Sequence, residues 1–442
     1  MRWFAAALVV LALAWQFQLG LLVVAFYVIA GLILLGRMLG QAWARQLTAS
    51  RVCDADTVEI DARFKVLVHL HNDGPFKPAW LLIEDGVPVA SLAQTPPSLK
   101  ITGRWLALTR LGKNETTTIQ YEVEVLRRGY FQFGPLLVET GDLFGLHRSY
   151  RLLTDPHFVL VRPKVLPLAG YDLESPRPLG EIRIVHRLFE DTTRINGVRG
   201  YQTGDPLNRI HWRATARTGE FQSKTFESSA VAGVTMLLDF HRAAYPAPGE
   251  YYASELAITL AATLARALSE MGQQAGLVSN GRDAAERMKF QGWSLEFKTR
   301  DFARQGQHFE KDNRRLVPTV VETRRDTAQF DNILDALARL ELTDEFSFAD
   351  LVRSAGPRLP RSATVAAIIS RPTPETAAAL GGLRRRGYFV LALVITIGEP
   401  EARDWAAPPE WAAVLLQEGV PFRAIPDEAA VINLCSQASF QV

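Results

Sequence analysis

The sequence predicts a multi-domain chain of α and β structure: an N-terminal transmembrane hairpin, an immunoglobulin-like β-sandwich, and an α/β domain on a mostly parallel sheet. Three observations lead there. Residues 3–35 contain no charged side chain. Residues from about 50 to 165 alternate apolar and polar positions between turn formers, the period of half-buried antiparallel strands. From residue 234 onward, continuous apolar runs alternate with helical patterns, which builds a parallel sheet with helices on both faces.

The chain of 442 residues is long enough for two or three domains. Its 48% hydrophobic content excludes bulk disorder. A net charge of +2 gives no global case for nucleic acid or an acidic substrate. Cys53 and Cys435 are far apart and form neither a disulfide framework nor a metal-ligand set.

A single spanning helix needs about 20 apolar residues. The uncharged run is longer and is interrupted by Gln16, Gln18 and Gly20. Two short helices, over 3–15 and 19–35, account for both facts. Arg2 precedes the run and Arg37 and Arg45 follow it. Cations favour the cytoplasmic side, and a hairpin places all three there, with the soluble domains in the cytoplasm.

In the β region, Phe64, Val66, Val68 and Leu70 share one strand face, and Ile119, Tyr121, Val123 and Val125 another. Asn72-Asp-Gly74-Pro75, Asp85-Gly86 and Gly112-Lys-Asn114 supply turns. Residues 166–198 read as a connection with some strand. Residues 234–238 form a buried strand. A helix is expected over 254–271, with Leu256, Leu260, Leu264 and Leu268 at i, i+4 spacing, Ser254 as N-cap and Gly272 as stop. A strand from Gly276 follows, then strand 364–369, helix 374–385, strand 388–395, helix 408–417 and strand 420–425. Residues 281–327 are polar and poorly periodic and read as an insertion.

The most informative segment is 199–227, RGYQTGDPLNRIHWRATARTGEFQSKTFE. It gathers Arg199, Arg209, Arg213, Arg217, Lys224 and His211 around a Gly204-Asp205 turn, with Tyr201, Trp212 and Glu227. It resembles the signature of the family called domain of unknown function 58, and 127–146, RRGYFQFGPLLVETGDLFGL, resembles a second one. The family usually has Pro after the aspartate of that second segment; Leu143 stands here. The resemblance implies a membrane-anchored bacterial protein working with a MoxR-type AAA+ ATPase in client assembly or maturation. It also implies a C-terminal domain like that of von Willebrand factor A.

That fold often holds Mg²⁺ through Asp-x-Ser-x-Ser at the end of its first strand. Here the strand ends Asp239-Phe-His241-Arg-Ala243, so only the aspartate matches. Mg²⁺ demands several hard oxygen ligands, and a degenerate site holding no metal is expected. Asp239 is expected to cap the following turn, or to pair with Arg242 or a signature arginine.

Three readings of the basic signature stand together. It forms a structural seam, with Arg199, Arg209 and Arg217 paired to Asp205, Glu220, Glu227 or Asp239 and apolar contact from Tyr201 and Trp212. Or it docks an acidic partner. Or it binds phosphate or nucleic acid, the weakest reading because acids are interleaved. His211 fits a hydrogen-bonded role better than a general base, since no motif places Ser223, Thr215 or Asp205 beside it. No Gly-x-x-x-x-Gly-Lys occurs, so ATP hydrolysis by this chain is not expected.

The expected organisation is a hairpin over 1–45, a sandwich over 46–165, a connecting segment with the signature over 166–230, and an α/β domain over 231–442 with a polar insertion at about 281–328. The expected function is a non-enzymatic adaptor at the bacterial inner membrane, without cofactor and without nucleic acid. The alternatives are a hydrolase acting on cell-envelope or peptide substrates and a metal-dependent adhesion module.

Overall fold

A computed structural model describes residues 9, 12, 16, 20–142, 147–169, 189–200, 210–229, 233–245, 249–290, 317–360, 364–397 and 409–434. These fall into two compact units. One holds the chain up to Pro163 together with residues 284–290; the other holds Lys164–Asp283 and the described residues from 317 on.

The first unit opens with helix α1 (Gly20–Arg45). Its strands are β1 (Leu47–Cys53), β2 (Thr57–Glu59), β3 (Arg63–Asn72), β4 (Leu81–Asp85), β5 (Leu99–Gly103), β6 (Leu106–Thr109), β7 (Thr116–Val125), β8 (Gly129–Phe133), β9 (Leu136–Gly141), β10 (Arg148–Leu152) and β11 (His157–Arg162), with a short helix α2 (Val89–Ala93) after β4. They make sheets ordered β1-β3-β7-β5, β10-β9-β4-β6 and β2-β11-β8. All pairings are antiparallel except β2 with β11. The period-two faces read from the sequence are the faces buried: Phe64, Val66, Val68 and Leu70 from β3, and Ile119, Tyr121, Val123 and Val125 from β7. They share one core with Leu81, Ile83, Val138 and Val161.

Helix α1 corrects the expected end of the second membrane helix at Leu35, because it runs on to Arg45. The reason is packing. Gly36, Gly40, Trp43 and Ala44 are buried at helical spacing while Arg37, Met38, Gln41 and Ala42 are exposed. The small residues let the helix lie against β9 and β10. A Cβ added to Gly36 would stand 3.0 Å from the Asp142 Cβ, and one on Gly40 3.8 Å from the Gly141 Cα. Arg151 Nη1 donates to the Arg45 carbonyl at 3.0 Å and ties down the helix end. The helix includes one stretch, Val23–Arg45, long and apolar enough to cross a membrane. The expected first helix, over 3–15, lies almost wholly outside the described residues.

The second unit contains β12 (Phe189–Gly200), α3 (Trp212–Thr218), β13 (Gln222–Ser229), β14 (Gly233–Leu238), α4 (Glu250–Glu270), β15 (Gln274–Ser279) and β16 (Arg282–Asp283). Next in the chain comes α5 (Ala284–Phe290), a member of the first unit. Then follow β17 (Thr319–Arg324), α6 (Gln329–Arg339), β18 (Leu340–Glu341), α7 (Phe348–Ala355), β19 (Thr364–Ile369), α8 (Pro374–Arg385), β20 (Phe389–Ile395), α9 (Glu410–Gln417), β21 (Phe422–Ile425) and α10 (Glu428–Ile432). The main sheet is ordered β17-β15-β14-β19-β20-β21. It is parallel throughout except for the edge strand β17. One face, with Met236, Leu238, Leu277 and Ile368, is covered by α4, α6 and α10. The other, with Leu237, Val365, Ala367 and Val394, is covered by α7, α8 and α9. Each fully buried leucine or valine contributes about 1.5–3 kcal/mol, so this double coverage outweighs any single polar contact in the unit.

Helix α4 starts four residues earlier than expected, at Glu250, with Gly249 at its N-cap. Ser254 is therefore interior, and its Oγ donates to the Tyr251 carbonyl at 3.0 Å. The C-terminal stop holds: Gly272 adopts φ +64°, and Gln273 N reaches the Leu268 carbonyl at 2.9 Å. The polar insertion is also corrected. Its described parts include β16, α5 and the sheet strand β17. Strand β17 bulges opposite β15, its register slipping between Ala275 and Leu277. Gly276 sits at the slip, where a Cβ would meet the Thr323 Cα at 2.8 Å. Buried Gln329 satisfies the disturbed backbone, with Nε2 donating to the carbonyls of Ala275 at 2.7 Å and Glu322 at 2.8 Å.

Candidate functional site

The basic signature folds as an antiparallel pair, β12 with β13, with α3 in the connection. Arg199 pairs with Ser223, Val198 with Lys224 and Asp191 with Glu227. The backbone of Arg199, Lys224 and Glu227 is placed by this register, and their side chains are outside the description. Tyr201, Gly204, Asp205 and Arg209 also lie outside the described residues.

The remaining signature residues form a compact knot. Ile210 is buried and bridges Ser223. His211 N donates to the Gln222 carbonyl at 2.7 Å. His211 is the N-cap of α3, its Nδ1 accepting from Ala214 N at 3.0 Å. Acceptance at Nδ1 assigns the proton of the neutral ring to Nε2. Gly219 closes the helix at φ +76°, a conformation that favours glycine. Thr215 Oγ1 accepts from Gln222 N at 3.1 Å, and Ser223 is buried. The Thr215 hydroxyl near His211 is thus engaged in holding the turn.

The knot presents outward an aromatic pair, two arginines and Glu220. Trp212 is 65% exposed and Phe221 55%, their rings edge to face at 6.4 Å between centroids. Arg213 and Arg217, four apart on α3, are exposed. Among the described residues neither makes an ion pair. The seam contact expected of Trp212 and the pairing expected of Arg217 are not formed by described residues.

The second arrangement lies at the carboxyl end of β14. With β17 set aside, the parallel strands follow the order second, first, third, fourth, fifth, so the connections reverse direction between β14 and β19. Open α/β sheets place ligand sites at such a point. Asp239 N donates to the Ile368 carbonyl at 2.9 Å, which seats the residue there. Its buried Oδ1 accepts from Asn280 Nδ2 at 3.0 Å and from His241 N at 3.1 Å. Asn280 returns through Oδ1, which accepts from Phe240 N at 2.6 Å. Tyr245 donates its hydroxyl to the Asp239 carbonyl at 2.6 Å. Burial pushes the Asp239 carboxyl above its ordinary range, against the bonds from Asn280 and His241 N.

Of the three partners expected for Asp239, the turn is observed. Arg242 instead faces Glu250 at 3.6 Å and Asp344 at 3.2 Å. The donor set does not fit Mg²⁺. The amide N–H of Asn280 points at the carboxylate oxygen, His241 and Ala243 replace hydroxyls, and among the described residues no three His, Cys, Asp or Glu side chains converge on a metal position. Nothing in local spacing marks Asn280, which meets Asp239 only because β15 lies beside β14.

A third polar cluster, inside the sandwich, also escapes sequence reasoning. Arg51 and Asp85 form a buried ion pair, their side chains 5% and 0% exposed. Arg51 Nη1 also donates to the Asp155 carbonyl at 2.8 Å, and Tyr121 donates its hydroxyl to Asp85.

Comparison with known proteins bears on the knot and the β14 end. The chain is 25% identical over 264 residues to the uncharacterized protein YeaD of Bacillus subtilis (strain 168), an alignment covering 58% of this chain. The chain spans 62% of the length of that relative. Among solved structures, the CARDB domain of the PF1109 protein from Pyrococcus furiosus aligns with 15% identity and a TM-score of 0.18, over 26% of this chain and 91% of that one. Salmonella alpha-2-macroglobulin aligns with 13% identity and a TM-score of 0.20, over 28% of this chain and 7% of that one. At these scores neither structure bears on fold or function here. Residues 197–292, from the end of β12 through the α3 knot, Asp239 and Asn280, match the family described as protein of unknown function DUF58.

Proposed function

We propose that this chain is a non-enzymatic adaptor, held in the bacterial inner membrane with its soluble units in the cytoplasm, that works with a MoxR-type AAA+ ATPase in client assembly or maturation. The observation that carries the reading is the α3 knot. It displays Trp212 and Phe221 beside Arg213 and Arg217 within the segment that matches the family. Tryptophan and arginine are the side chains that dominate protein interfaces, and local cationic charge speeds encounter with an acidic surface. Family resemblance supplies the ATPase as partner and a von Willebrand A-like character for the parallel-sheet unit. The apolar first part of α1 and the arginines in its C-terminal part, Arg37 and Arg45, support the membrane location and the cytoplasmic side.

Purification of tagged full-length chain in mild detergent, with ATP and with ADP, tests the proposal. The expected result is co-purification of an AAA+ ATPase, weakened at least tenfold by Trp212→Ala, a loss of about 2 kcal/mol for a central aromatic anchor. Recovery without any ATPase under both nucleotides would overturn it.

A further inference from the structure

We infer that the end of the β-sandwich formed by Arg37, Arg110 and Arg148 is a surface that binds anionic lipid headgroups. The inference rests on the membrane-hairpin reading above and adds a second, electrostatic attachment to it.

The height of this end above the bilayer follows from α1. The described side chains of residues 20–35 are exposed or half-buried, and burial against the sandwich begins at Gly36. The free apolar length is about 24 Å at 1.5 Å per residue, short of a hydrocarbon core of about 30 Å. A hairpin helix of that length leaves no spacer: the part of the sandwich that touches Gly36 and Gly40 meets the headgroup layer.

Strand register names that part. Asp142 lies against Gly36 and Gly141 against Gly40, so β9 runs toward the membrane. On the rung beside Gly141, Thr140 pairs with Ser149 of β10 and Leu81 of β4, and Leu81 pairs with Thr109 of β6. Arg148 precedes Ser149 and Arg110 follows Thr109, so both stand at the level of Gly141. Arg37 is adjacent to Gly36. All three arginines are exposed. Arg37 and Arg110 make no ion pair with another described residue. Arg148 touches Glu139 at 3.4 Å with its side chain 66% exposed. Asp142, one residue beyond Gly141, is buried and accepts from His147 N at 3.1 Å. The end therefore offers guanidinium groups without an exposed carboxylate at the same level on these strands, and phosphate is what a guanidinium fork matches.

The test uses full-length chain with Cys53→Ser, Cys435→Ser and Leu108→Cys. Leu108 is 72% exposed on β6, and the new thiol carries a polarity-sensitive dye. The chain is placed in nanodiscs of phosphatidylcholine alone or with one quarter phosphatidylglycerol. Anionic lipid is expected to lower iodide quenching of the dye and blue-shift it. Arg110→Gln with Arg148→Gln is expected to abolish that difference. Each near-surface arginine contributes about a fivefold bias toward the lipid-bound orientation. Equal quenching in both lipids, in chain that resists alkaline carbonate extraction, overturns the headgroup surface. Release by carbonate would instead strike at the membrane anchor, so the two failures are distinguishable.

Discussion

The hydroxyl of Tyr121 donates to Oδ2 of Asp85 at 2.7 Å in the centre of the sandwich, where Arg51 closes on the same carboxylate. Burial first, then the Asp85 charge, pushes the Tyr121 hydroxyl well above its ordinary range, so it stays protonated and donates. A buried pair of this kind is costly to halve, because the charge left behind has no solvent. Asp85→Ala is expected to destabilise the detergent-solubilised chain by about 3–5 kcal/mol. Tyr121→Phe is expected to cost about 1.5–3 kcal/mol, as one bond to a charged acceptor. The double change Arg51→Met with Asp85→Leu is expected to cost far less than Asp85→Ala alone. Calorimetric unfolding of the three variants checks the order; equal losses for Asp85→Ala and the double change would contradict it.

Asp239 gives a pH dependence with a definite sign. Its folded-state carboxyl titrates above its unfolded value because of burial. The protonated form is thus favoured on folding, and stability from this group is fully present below the unfolded value. It is lost as pH rises through the folded value. Asp239→Asn keeps an oxygen to accept from Asn280 and His241 N and removes the buried charge. The variant is expected to melt at or above the parent at neutral pH, with the gain vanishing in acid. Melting curves from pH 3 to 8 measure this, and a variant less stable at pH 7 than at pH 4, relative to parent, would refute it.

The small side of α1 predicts an asymmetric pair of variants. A Cβ at Gly36 stands at 3.0 Å from two atoms of the buried Asp142 side chain, whereas one at Gly40 finds its nearest neighbour at 3.6 Å. Gly40→Ala is expected to be tolerated, with a helix-propensity gain of up to about 1 kcal/mol. Gly36→Leu is expected to lift the helix from β9 and β10. Amide exchange resolved over Leu136–Gly141 and Arg148–Leu152 reads the difference: faster exchange in Gly36→Leu and parent-like rates in Gly40→Ala.

The parts legible beforehand are those in which neighbours in sequence share a face. Phe64 to Leu70 and Ile119 to Val125 alternate because one side of a half-buried strand must be apolar. Leu256 to Leu268 recur every fourth residue on a helix that is buried on almost every side from Leu256 to Leu268. Where a short element followed a charged stretch, the pattern was lost. Helices α6 and α7 go unmarked by the sequence pattern, although Ile333, Leu334 and Leu337 are spaced for a buried helix side, and β17 lies within the polar stretch that reads as an insertion. Strand β17 gives one valine to each face of the sheet, Val321 to one and Val320 to the other, and two adjacent valines do not announce a strand.

The candidate sites divide the same way. The composition of the signature was visible, and so was the turn at Asp239. The aromatic pair of Trp212 with Phe221 was not, since it depends on a helix of seven residues folding the chain back on itself. Nor was the link from Asp239 to Asn280, 41 positions apart.

Local periodicity and an uncharged run were thus enough to establish antiparallel β structure, a mostly parallel sheet and an apolar N-terminal helix, because burial acts on residues a few positions apart. Tertiary structure decided which polar groups meet. Arg51 with Asp85, Asp239 with Asn280, and Gly36 with Asp142 are joined by strand order and close backbone approach. Those contacts depend on distances across the chain that no spacing along it encodes.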